Sequence, residues 1–178
     1  MEESNGNWAA SLNLEPIWSP PPLGWLKINF DGSIHPNNIA RLGCSIRYQD
    51  GGLIIAKGIR THNRSINMTE VRSALLGITL AKDFANSALG LILEGDSAFA
   101  YATLNCILGG LQDGNVEEML ARTMMDCQRI MISLVDRRAY SAANYVANVS
   151  CISTFLWERG MPLTQALSFI LSKDNMAM

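Results

Sequence analysis

The chain has 178 residues, 48% hydrophobic and 17% charged, with a formal net charge of −2. That length suits one domain with a sizeable core, and the composition excludes a disordered chain. No apolar run reaches the roughly 18 residues of a membrane span, and the opening MEESNGNW carries acids where a targeting peptide would carry bases, so an intracellular protein, nuclear or cytoplasmic, is expected.

Residues 1–24 hold four of the six prolines, Pro20 to Pro22 among them, and read as an extended leader that pins Trp18 to the domain surface. The domain is expected over 25–178. Its first strand covers Trp25 to Gly32, where Ile28 and Phe30 alternate with Lys27, Asn29 and Asp31 as in a strand with one buried face. This strand closes on a carboxylate. Asp-Gly is a common hairpin dipeptide, and alone it favours a turn at Asp31. The other reading is that Asp31 binds something positive, and carboxylates placed to join it would favour that.

A second strand is expected over about Leu42 to Tyr48. A third, over about Leu53 to Arg60, follows the turn QDGG, so the first three strands form an antiparallel meander. The period then changes. Val71, Ala74, Leu75, Ile78, Ala81 and Ala85 fall at helical spacing, with Thr69 or Asn67 placed as the cap and Glu70 in the first turn. Leu91 to Asp96 reads as a fourth strand, parallel to the first. Ser97 caps a helix that Gly109 and Gly110 stop near Leu108. Next come a helix over about Val116 to Asp126 and a fifth strand over Arg129 to Val135. A helix from about Ser141 to Glu158 and a short last helix, Leu163 to Leu171, complete the chain. The order predicts a mixed α/β fold with helices packed on the sheet.

Cys44, Cys106, Cys127 and Cys151 have neither zinc-ligand nor redox spacing and read as buried reduced thiols. With Glu2, Glu3 and Glu15 in the leader, residues 25–178 carry 14 basic and 13 acidic side chains, a balance of +1. Between Arg41 and Arg72, six bases against Asp50 and Glu70 give a local +4, which is either a solvated strand surface or a face for phosphates.

Three acids stand at element ends: Asp31, Glu70 and Asp96. Each alone has a structural explanation as a turn or helix-end residue. Together at one sheet edge they would repel and raise each other's pKa unless a cation neutralised them. Ligands that offer only oxygen point to Mg²⁺ or Mn²⁺.

The blocks WSPPPLGWLKINFDGS, GCSIRYQDGGLI, MTEVRSALLGITLA and LILEGDS resemble successive blocks of the plant-type ribonuclease H-like family, related to retroelement ribonuclease H domains. The resemblance runs from about Trp18 onward. It implies a five-stranded mixed sheet in the order 3-2-1-4-5 with helices on both faces. It also implies hydrolysis of the RNA strand of an RNA–DNA hybrid by two divalent ions, Mg²⁺ or Mn²⁺, in a monomer. By the same resemblance Asp31, Glu70 and Asp96 are the core metal-binding acids. Gly32, Ser33, Asn67 and Ser97 are substrate contacts, Asn67 at a position that touches the minor groove in relatives. Asn148 takes the place of the fourth acid in the late helix, where the family's pattern ends in Asp. The histidine that many active relatives carry before that helix is absent between Asp136 and Asn148, and Ala98 replaces a polar residue after Asp96-Ser97. These departures imply reduced catalysis, and with it the alternative of a weakened or inactive nucleic-acid-binding domain. If the late helix is aligned differently, Asp136 is another candidate for the fourth ligand.

Overall fold

A computed structural model describes residues 18–85, 87–110, 115–125, 129–150 and 154–175. Six strands form one mixed sheet in the order β5-β4-β1-β2-β3-β6. These are β1 (Trp25–His35), β2 (Ile39–Arg47), β3 (Leu53–His62), β4 (Gly90–Gly95), β5 (Ile130–Leu134) and β6 (Phe155–Glu158). Five helices accompany them: α1 (Ile66–Ala85), α2 (Ala98–Leu108), α3 (Asn115–Met125), α4 (Ser141–Val149) and α5 (Gln165–Asn175). The first three strands are antiparallel, and β4 and β5 run parallel to β1. The expected order 3-2-1-4-5 is present, with β6 added outside β3. No helix among the described residues is long and apolar enough to cross a membrane.

The sixth strand corrects the expected helix over 141–158, which ends at Val149. Ser150 helps to stop it, since its hydroxyl donates to the Ala147 carbonyl at 2.7 Å. In Phe155–Glu158 the residues alternate: Trp157 is buried while Leu156 and Glu158 are exposed, which is strand spacing. The strand pairs antiparallel with Ile55 to Gly58 of β3.

The expected end of the first strand at Gly32 is also corrected, and Asp31–Gly32 is not a turn. Both residues lie inside β1, opposite Gly43 and Leu42 of β2. The reversal comes at Pro36–Asn38, where Asn37 and Asn38 take left-handed φ of 64° and 57°, a conformation asparagine tolerates.

Strand β1 has two buried faces, because it is central. Leu26, Ile28 and Phe30 join Val71, Ala74, Leu75, Ile78 and Ala81 of α1 in the main core, as the helical spacing predicted. On the opposite face Lys27, Asn29 and Asp31 are buried as well. Lys27 pairs with Glu94 at 2.8 Å, and Asn29 bridges the Glu94 carboxylate and the indole N–H of Trp18. Trp18, itself buried, also lies over the Arg47 guanidinium, 4.1 Å from ring centroid to Cζ. Arg47 is fully buried and pairs with Asp174 of α5 at 2.7 Å. It is therefore removed from the basic surface expected between Arg41 and Arg72.

Helix α4 crosses this second face where two glycines let it approach. A Cβ on Gly43 would meet Ala147 N at 2.5 Å, and one on Gly58 would meet Val146 O at 2.5 Å. Of the cysteines, Cys44 is buried, and burial pushes its thiol up to about 12. Cys106 is exposed on α2, contrary to expectation, while Cys127 and Cys151 lie outside the described residues.

Candidate metal centre

Parallel strands β1 and β4 pair up to Asn29 and Glu94. Asp31 and Asp96 each stand two residues further on, at the same carboxyl edge of the sheet, where open α/β sheets bind their ligands. Helix α1 brings Glu70 to them. It starts at Ile66, with the Ser65 hydroxyl accepting from Met68 N–H, so Ser65 is the cap rather than Thr69 or Asn67. Asn67 then sits in the first turn and Glu70 in the second, one turn deeper than expected. The approach depends on Gly32, where a Cβ would stand 3.0 Å from the Glu70 and Thr69 backbone.

One carboxylate oxygen from each of Asp31, Glu70 and Asp96 lies within 4.8 Å of the other two. Asp31 and Glu70 are buried, and Asp96 is partly so. Burial first, and then the charges of Asp31 and Asp96, push the Glu70 carboxyl up to about 8. The Gly32 N–H donates to this carboxyl, yet its Oε2 is buried with no hydrogen-bond partner. A buried acceptor left in that state beside two more acids suits a cation that completes the set.

The other predicted residues are engaged in different ways. Gly32 is buried under Glu70 and Ser97 is beside Asp96, where its hydroxyl caps α2 by accepting from Ala100 N–H at 3.1 Å. Ser33 bonds His35 Nε2, and Asn67 is exposed one turn before Glu70. The Asn148 amide is turned to Asn144, donating to its carbonyl and side-chain oxygens, and the Asn148 carbonyl accepts from Arg41. Asp136 is engaged by Arg138, which holds its carboxyl down at about 2.

Sequence reasoning missed Arg137. Its Nε donates to Asp96 Oδ2 at 2.9 Å, and its Nη2 stands 3.7 Å from Asp31 Oδ1. The signal was the basic pair after the fifth strand, a place searched only for histidine.

No family model matches the chain, and no curated protein matches it. Solved structures do. Ribonuclease H1 from the halophilic archaeon Halobacterium salinarum superposes with a TM-score of 0.56 at 20% identity, over 71% of this chain and 100% of its own. The N-terminal ribonuclease H domain of a Mycobacterium tuberculosis protein gives 0.60 at 17% identity, covering 71% and 92%. LC11-RNase H1 in complex with an RNA/DNA hybrid gives 0.59 at 14%, covering 70% and 94%. With its central strand order and these superpositions, the chain has the ribonuclease H fold.

Proposed function

We propose that this protein is a divalent-metal-dependent endonuclease that cuts the RNA strand of RNA–DNA hybrids, with Asp31, Glu70 and Asp96 as metal ligands. The observation that carries this reading is the meeting of three carboxylates just past the last paired residues of β1 and β4, with Glu70 Oε2 buried and unpartnered. One of the similar structures holds an RNA/DNA hybrid, which supports the substrate class. Two Mg²⁺ or Mn²⁺ ions bound there would lower the pKa of a water and stabilise the leaving oxygen. The protein's own part is to hold three oxygen ligands close together, from β1, from the end of β4 and from α1, with Gly32 N–H orienting Glu70. Ser33 and Asn67, polar residues flanking the acids, would contact the hybrid, whose 2′-hydroxyls lie in a wide minor groove.

A second reading is a hybrid-binding domain with weakened catalysis, and the engagement of Asn148 by Asn144 favours it. One experiment separates the two. A labelled RNA–DNA hybrid is incubated with wild type and Asp31→Asn, in Mg²⁺ and then in EDTA. We expect Mg²⁺-dependent cleavage that falls by at least about 100-fold in the variant, on the scale of losing a main electrostatic group. Hybrid binding without cleavage in any metal would select the second reading.

A further inference from the structure

We propose that Arg137 is a tethered counter-ion of the acid cluster, which a divalent cation must displace in order to bind. The inference rests on the metal-centre reading above. Arg137 opens the 3-10 turn between β5 and α4, next to Arg138, and the two guanidiniums go different ways. Arg138 is taken by Asp136 at 3.0 Å, within the same turn. Arg137 reaches across to Asp96 at 2.9 Å and to Asp31 at 3.7 Å, so a single cation spans two of the three acids.

The geometry sets the two occupants in competition. The carboxylate oxygens lie within 4.8 Å of one another, and Mg²⁺ requires contact at about 2.1 Å with near-octahedral order. An ion seated on Asp31 and Asp96 would bring two positive charges within about 5 Å of the guanidinium, an arrangement that disfavours both. Arg137 can yield because its side chain is 56% exposed, against 3% for Asp31, so only the arginine has water to move into. Its single charge also leaves the cluster short of neutral, so the preference of the site for a divalent ion survives. Arg137 is a positioning residue by this account. It holds the two aspartates while no ion is bound, and it raises the concentration at which the ion enters.

The test reads ion binding and needs no activity. Mg²⁺ is titrated into the full chain by calorimetry and by thermal shift, for wild type, Arg137→Ala, Arg138→Ala and Asp31→Asn. All four proteins are titrated at the same pH and ionic strength, so that only the side chain differs between them. We expect Arg137→Ala to lower the half-saturating Mg²⁺ concentration about tenfold, within the range an opposite charge at such distances commands. Its ion-free melting temperature should fall, because Asp31 and Asp96 lose the guanidinium that spans them. Arg138→Ala changes the same net charge one residue away and should shift the midpoint less than about threefold. If Arg137→Ala leaves the midpoint unchanged, or shifts it no more than Arg138→Ala does, the counter-ion role is overturned while the metal site stands. If Asp31→Asn responds to Mg²⁺ as wild type does, the metal-centre reading itself fails.

Discussion

Glu70 shows most directly how burial and charge act on one side chain. Its folded-state carboxyl is raised from 4.5 to about 8, so between those values the folded state binds a proton that the unfolded chain has lost. The contribution to stability is complete below about pH 4.5 and is lost as pH rises through about 8. In EDTA, urea unfolding between pH 5 and 8 should therefore show stability falling with pH, by at most about 1.4 kcal/mol per unit from this group. Glu70→Gln should flatten that decline. An equally steep decline in the variant would assign the proton elsewhere. The three acids were legible as candidates because carboxylates at the ends of apolar strand and helix patterns need a reason. The basic pair Arg137-Arg138 was visible too, but the reach of Arg137 to the acids depends on where its 3-10 turn stands. Asn148 was visible as a departure, but its turn toward Asn144 depends on the helix geometry.

At the level of elements, spacing sufficed wherever one face was apolar and the other polar. The main-core face of α1 and the Ser97 cap followed from such patterns. The pattern gave out where two faces are buried, as on β1, whose Lys27 and Asn29 read as solvent-facing until their partners across the sheet are known. It gave out again at 141–158, where small and apolar residues suit helix and strand alike and the partner strand lies about 100 residues earlier. The glycines opposite α4 provide a test of how closely that helix is held. Gly58→Ala would place a methyl group 2.5 Å from Val146 O, a backbone atom that cannot swing aside. A loss of about 1–3 kcal/mol in urea unfolding is expected, as for overpacked cores. A cost below about 0.5 kcal/mol would mean that α4 shifts freely over the sheet.

Across the whole molecule, charge is buried on the face of the sheet away from α1. Arg47 and Asp174 make one ion pair, and Lys27 and Glu94 make another. Burial lowers the Arg47 pKa and raises that of Asp174, and the attraction between them opposes both shifts. Asp174→Ala should cost about 3–5 kcal/mol by leaving Arg47 charged, dry and unpaired, whereas Arg47→Met with Asp174→Leu should recover most of the loss. Denaturant unfolding of the single and double variants checks this, and a double variant no more stable than the single one would refute it. The pair also orders events in time. Arg47 is made early in synthesis, in a hairpin that can form as soon as β3 has emerged, but its counter-charge follows 127 residues later. Until then the guanidinium has Trp18 and the Glu94 charge but not its ion-pair partner, so closing this side of the sheet is costly, although Asp31, Glu70 and Asp96 have all been made. The nascent chain therefore passes through a stage in which its chemistry-bearing edge exists and its second layer does not, and it is in that interval that chaperones and proteases have their access.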